Sequence, residues 1–298
     1  MALSTPQKWL VGCGIGCAAM IVIVVALVTG AVVFVRGKFS PLQTASDSRK
    51  KVVEAYGTAD TFVPPSDGAV SPERMEIFLS VRDALKGEQT RIDAALANVD
   101  LDRLNQRQPS FGSVLRTLND LSNLIAPFGE YVDRRNRALL ETRMGLGEYA
   151  YIYSIAYHSW FHHPPEEGPP ILAQGRRQDR DRVLRDNPGL SPEGVHRQYR
   201  RLILRWLENQ LEGIQGVEQT KWRGALKEEI DRIDRNPGRV AWEDNLPLPI
   251  QKSLEPFRNR LTDTYHRSTN FFELLTMDEI RQFDWSGGIP DRDDQPRR

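Results

Sequence analysis

The sequence predicts an all-α protein: a single N-terminal transmembrane helix followed by a soluble multi-helix, bundle-like domain. Three observations carry that reading. The 26 residues from Leu10 to Val35 contain no charge. Behind them, apolar residues recur every three to four positions, and no stretch shows the period of two that a half-buried strand needs. Ser71-Pro72-Glu73 and Ser191-Pro192-Glu193 each place an N-cap, a first-turn proline and an early acid in order, which is how a helix starts.

Residues 1–9 form a short tail, and residues 10–35 form the spanning helix. At 1.5 Å per residue that helix is about 39 Å long, enough to cross roughly 30 Å of hydrocarbon with some tilt. Lys8 and Trp9 stand at one end and Arg36 and Lys38 at the other, where interfacial and snorkelling side chains belong. A cleaved signal peptide is the competing reading. Its apolar region ends at a small-residue site, yet Val32 to Val35 continue the apolar run past Thr29-Gly30-Ala31. Gly12 and Gly16 form a GxxxG pair through which two spanning helices can pack closely as a homodimer. Cys13 and Cys17, the chain's two cysteines, lie beside that face.

One basic residue precedes the span, against Arg36, Lys38, Arg49, Lys50 and Lys51 after it. The positive-inside count therefore favours a cytoplasmic body. The body lacks cysteine and Asn-x-Ser/Thr acceptors, and 32 of the 40 basic residues are arginine. Both features point to a bacterial inner membrane rather than a eukaryotic secretory route.

Residues 36–70 are rich in Ser, Thr, Asp, Pro and Gly and read as a flexible tether with a reach of about 30 Å. A first helical lobe follows over 71–163. Met75, Phe78, Leu79, Leu85, Ile92, Leu96 and Val99 keep a helical period, as do Phe111, Val114, Leu115, Leu118, Leu121 and Ile125, up to a stop or kink at Pro127. Further helices are expected near 129–143 and 147–162. A Pro- and Arg-rich connection fills 164–190. The second lobe, 191–284, opens with the cleanest stripe in the chain, Tyr199, Leu202, Ile203, Trp206, Leu207, Leu211 and Ile214. Trp222, Leu226, Ile230 and Ile233 make the next stripe, ended by Asn236-Pro237-Gly238, and a last helix lies near 253–266. Residues 285–298 read as a frayed tail. The two lobes form either one core or two.

Phe62-Val63-Pro64-Pro65 with Ser71 to Met75, Met144 to Tyr149, and Tyr265 to Leu275 resemble landmarks of a loose group of bacterial, N-terminally membrane-anchored helical proteins of uncharacterised function. The resemblance covers about a sixth of the chain. It implies an anchored helical protein and supplies no activity, cofactor or site residue.

Chemistry concentrates in two places. Six of the thirteen residues from 149 to 161 are aromatic, and His158, His162 and His163 close that segment. On a helix His158 and His162 share a face and can both ligate a metal, with Glu166 or Glu167 as a third ligand. The bland alternative is a buried aromatic helix whose histidines meet its negative end. The second place is residues 176–205, with nine arginines against four acids. Arg197, Arg200, Arg201 and Arg205 there form a surface for an anionic partner or an anionic bilayer. Forty basic residues balance forty acidic ones, so no nucleic-acid partner is expected. No Walker loop, GxSxG elbow, HExxH or calcium loop is present.

The leading functional expectation is a membrane-anchored, non-enzymatic binding or scaffold module for a protein or envelope partner, with no cofactor. The alternatives are a metal-dependent enzyme using His158 and His162, and an anionic-lipid-binding regulatory module working through the helix near 197–206.

Overall fold

A computed structural model describes residues 40–97, 111–168, 192–214 and 220–276. Every element among them is helical. The spanning segment 10–35, with Gly12 and Gly16, lies outside the described residues. Among the described residues no helix is long and apolar enough to cross a membrane.

The first departure from expectation is the tether. Residues 40–56 are helical (α1), and Gly57 ends that helix in the left-handed region at φ 80°, its N–H bonding to the Val53 carbonyl at 2.8 Å. Ala45, Ser48, Arg49 and Val52 are buried at i, i+3, i+4 and i+7. That is a helix stripe, but only two of its four members are strongly apolar, so hydropathy alone hides it. Residues 57–70 are fastened as well. Ala59 and Val70 are buried, Ala59–Thr61 form a 3-10 turn, and Trp206 donates its indole N–H to the Ala59 carbonyl at 2.7 Å. Asn209 donates to the carbonyls of Asp60 and Phe62. These bonds join positions about 147 residues apart, so no local pattern announces them.

After the tight corner, α2 (Pro72–Ala84) begins as the sequence predicts. Ser71 Oγ accepts from the Arg74 N–H, and Met75, Phe78, Leu79 and Val81 are buried. Leu85 breaks the helix, and α3 (Lys86–Ala97) follows. The long α4 (Phe111–Glu141) runs through Pro127 without stopping, so the two helices expected there are one. Pro127 costs α4 a backbone bond. Continuation is stabilised by the packing of Tyr131, Val132, Arg135, Asn136, Ala138 and Leu139, all buried. Arg143 closes α4 in the left-handed region at φ 55°. The Met144 N–H reaches Leu139 O and the Arg143 N–H reaches Leu140 O, the paired bonds of a Schellman cap.

Next, α5 (Leu146–Tyr153) leads without interruption into a seven-residue π-helix, Ser154–Trp160. Gly147 lets this helix seat against the 3-10 turn, since a Cβ there would lie 2.7 Å from the Ala59 carbonyl oxygen. The second half supplies α6 (Pro192–Gly213), α7 (Thr220–Arg235), α8 (Leu248–Leu254), α9 (Arg258–Thr264) and α10 (Arg267–Leu275). On α6 Tyr199, Leu202, Ile203, Trp206 and Leu207 are buried, as their stripe predicts. They join Phe78, Leu139, Tyr149, Tyr153, Leu226 and Ile250 in one contiguous cluster. The buried apolar residues of the two halves therefore share a core.

How α1 is seated has a measurable consequence. Asn136 on α4 donates its amide to Ala45 O (3.3 Å) and Ser48 Oγ (3.2 Å). A Cβ at Gly129 would lie 2.7 Å from the carbonyl carbon of Pro41 and 2.9 Å from the Leu42 nitrogen, both backbone atoms. Gly129→Ala is therefore expected to lift α1 from α4 at a cost of about 1–3 kcal/mol. Limited trypsin digestion should then cut sooner at the exposed Lys50 and Lys51. Unchanged protection would mean that this contact does not seat α1.

Candidate functional site

The densest chemistry in the molecule lies where α10 plugs into the ring formed by α2, α4 and α5. Position by position, the helical period brings Tyr149, Tyr153, Tyr157 and Phe161 to one side of the α5 and π-helix segment. Their rings contact one another in succession at 6.2, 4.7 and 6.3 Å. Against this ladder α2 sets Arg82, α4 sets Tyr131 and Arg135, and α10 sets Thr269, Asn270 and Glu273; all are buried.

Glu273 is the hub. Arg82 pairs with its Oε1, and Arg135 Nη1 reaches its Oε2 at 2.8 Å. Tyr131 and Tyr149 both donate their hydroxyls to Oε1, Tyr149 at 2.8 Å. Arg82 also donates to the Thr264 carbonyl at 2.8 Å, and its guanidinium carbon lies 5.2 Å from the Tyr153 ring centre and 5.8 Å from that of Tyr157. Two cations thus share one carboxylate in a dry interior, and the aromatic faces offset part of the surplus positive charge. Burial pushes the Glu273 carboxyl up, but Arg82 and Arg135 together pull harder and leave it below the usual range. Burial pushes the Tyr131 and Tyr149 phenols well up, so both stay protonated donors. Arg82 Nε and Arg135 Nε and Nη2 are buried without a hydrogen-bond partner.

The π-helix forms the neighbouring wall. Its wider turn shows in a backbone bond that skips five residues, from the Phe161 N–H to the Ala156 carbonyl, and the Ser159 hydroxyl donates to the Ser154 carbonyl beside it. Trp160 ends it, and His162 sits exposed in the left-handed region at φ 57°. The premise that His158 and His162 share a helix face therefore fails. His158 points inward, buried, with Nδ1 2.8 Å from the His163 carbonyl and its ring edge-on to Tyr199 at 5.4 Å. An imidazole beside a carbonyl oxygen bonds it only through N–H, so the proton sits on Nδ1 and Nε2 holds a bare, unpartnered lone pair. Burial lowers its pKa to about 4. His163 stacks on Tyr265 at 3.8 Å, and Glu167 accepts from the Tyr265 hydroxyl at 2.6 Å and pairs with Arg267. Glu166 faces His196 at 3.5 Å. Neither glutamate folds back to His158 and His162. No group of three or more His, Cys, Asp or Glu among the described residues is placed to hold a metal ion.

Of the arginines of α6, Arg197, Arg201 and Arg205 are exposed and Arg200 is half-buried. Arg200 binds Asp234 at 2.7 Å and the Ile233 carbonyl on α7, and Arg205 pairs along its own helix with Glu208. Arg197 and Arg201 are exposed and also engaged. Tyr199, Leu202 and Trp206 belong to the core, so the apolar stripe of α6 faces inward.

Sequence reasoning pointed to the aromatic segment but missed its partners. The signal available was the four-residue spacing of Tyr149, Tyr153, Tyr157 and Phe161. A polar Thr269-Asn270 with Glu273 on one face of a short C-terminal helix is legible only once that helix is known to be buried. Comparison of the chain with known protein families, curated proteins and solved structures finds no match in any of the three.

Proposed function

We propose that this protein is a single-pass, membrane-anchored helical module that presents a rigid body at the bilayer surface to a protein partner, and that it works by binding rather than by catalysis. The carrying observation is α1. The apolar segment 10–35 ends four residues before residue 40, and from residue 40 the chain is docked on α4 through Gly129 and Asn136. An anchor joined this closely keeps residue 40 within about 18 Å of the end of the span. The buried Arg82–Glu273–Arg135 network supports the same reading. It ties three sequence-distant helices into one unit, the property a presenting scaffold needs.

The test is extraction of membranes from cells expressing the full chain. The protein is expected to stay with the membrane through high salt and alkaline carbonate and to float with lipid. Val24→Lys together with Val28→Lys, two charges in the middle of the span, is expected to release it, since each costs about 3 kcal/mol there. Carbonate extraction of the unaltered chain would overturn the proposal.

A further inference from the structure

We infer that the cleft between α7 and the segment 239–249 that follows it is the docking site for an extended, proline-rich segment of a partner protein, one that carries basic residues at one end. The inference rests on the binding role proposed above and gives it a surface and a partner chemistry. The cleft has a volume of about 480 Å³; Trp222, Ala225 and Arg232 of α7 wall one side, and Trp242, Pro247 and Pro249 the other. Leu248, between the two prolines, is 59% exposed, so the rim of the cleft carries an apolar side chain turned to solvent.

The aromatic wall is built against a local cost. Trp242 lies in the left-handed region at φ 58°, where a bulky side chain is strained. Buried Glu229 holds it there: its Oε1 accepts from the Trp242 N–H at 2.8 Å, while Arg239 grips the same carboxylate through Nε at 3.1 Å and Nη2 at 3.3 Å. The Trp242 ring thereby lies nearly parallel to that of Trp222, at 23° with ring centres 5.8 Å apart. The Trp222 indole N–H is buried and has no hydrogen-bond partner among the described residues, so no bond within the body holds that ring back from a ligand's acceptor. Paired indoles offer flat apolar surface to pyrrolidine rings, and a polyproline II segment has no internal hydrogen bonds, which leaves its carbonyls free to accept.

Charge selects among such segments. Arg232 and Arg239 are the two cations of a network whose carboxylates are Glu228, Glu229, Glu243 and Asp244, every contact within 3.9 Å. Two cations against four acids leave that end of the cleft with a surplus of two negative charges. Lys221 lines the other end, about 16 Å along the same face of α7 from Arg232. A polyproline II segment, at about 3.1 Å per residue, covers that distance in about five residues. Basic residues at one end of it meet the acidic network, and the Lys221 end disfavours them. The cleft thus specifies both the conformation of its occupant and the placing of its charge.

The test uses the full chain in detergent and fluorescein-labelled peptides of about six prolines with two arginines at one end, in two versions with the arginines first or last. Fluorescence anisotropy is expected to show saturable binding of one version, at least tenfold tighter than that of a peptide with Gly-Ser in place of the prolines, and weakened in 0.5 M salt. Leu248→Arg alters an exposed side chain, so it should leave the urea midpoint in place and weaken binding at least fivefold. Trp222→Ala should weaken it at least tenfold. No saturable binding, equal binding of the Gly-Ser peptide, or binding indifferent to Leu248→Arg overturns the inference. Binding that emerges only after removal of residues 285–298 overturns it too, because the chain's own Pro290 and Pro296 segment is then the occupant. A chain that binds none of these peptides yet floats with lipid loses this site and keeps its anchor, whereas failure to float overturns the anchored reading, which separates the two.

Discussion

Glu273→Gln is expected to cost about 3–5 kcal/mol, the largest single loss in the body. Among the described residues this carboxylate is the counter-charge to both Arg82 and Arg135, and all three side chains have no solvent exposure. An amide keeps the shape and one acceptor but leaves two guanidinium charges in the dry interior, where an uncompensated ion is expensive. With a slope near 2 kcal/mol per molar urea, the unfolding midpoint of the full chain in detergent should fall by about 2 M. The charge argument predicts more than instability. Arg82→Met, Arg135→Met and Glu273→Leu combined should recover most of the loss, because an all-apolar replacement removes the stranded charges together with their partner. A midpoint shift below about 0.5 M in Glu273→Gln would show that the network is not what secures α10.

That hub also shows where legibility in the sequence ends. Capping and stripe chemistry are local, so α2, α6 and α7 could be placed from Ser71-Pro72-Glu73 and from the Tyr199 and Trp222 stripes. Most of the failures are long-range. No neighbouring residue reveals that Trp206 and Asn209 will order residues 59–62, so a Ser- and Pro-rich stretch reads as a tether. Pro127 reads as a stop because local propensity says so, and the packing of Phe128, Tyr131 and Val132 with Ile92 and Leu96 of α3 overrides it. His158 and His162 look like a metal pair only if the helix continues, and the π-helix ends at Trp160. Arg82, Arg135 and Glu273 are ordinary surface residue types in a sequence. What buries them is a triad spread over three helices, with up to 191 positions between partners.

Acid is expected to destabilise the body well above the pH at which carboxylates titrate, and His158 is the reason. In the folded chain its pKa is lowered to about 4, with burial as the largest cause; unfolded, it returns to about 6.5. The folded state therefore binds fewer protons than the unfolded one between these values, and stability falls as pH drops through that window. Above pH 6.5 the imidazole is neutral in both states and nothing is lost. By pH 4 the loss approaches roughly 3 kcal/mol. His163, whose pKa is lowered by partial burial, adds in the same direction. Glu273 acts only lower down, its contribution disappearing as pH falls below the ordinary carboxylate range. The measurement is urea unfolding of the full chain at pH 7.5, 6, 5 and 4.5, beside His158→Leu. At pH 7.5 the variant should be less stable by about 1–2 kcal/mol, because the Nδ1 bond to the His163 carbonyl is gone and that bond holds the left-handed turn at His162. At pH 4.5 the order should narrow or reverse, since leucine has no proton to gain. A merely structural role for the ring would give the same deficit at every pH. Parallel curves for the two proteins would place the acid sensitivity elsewhere, whereas converging curves identify the π-helix, which turns this imidazole away from water, as its source.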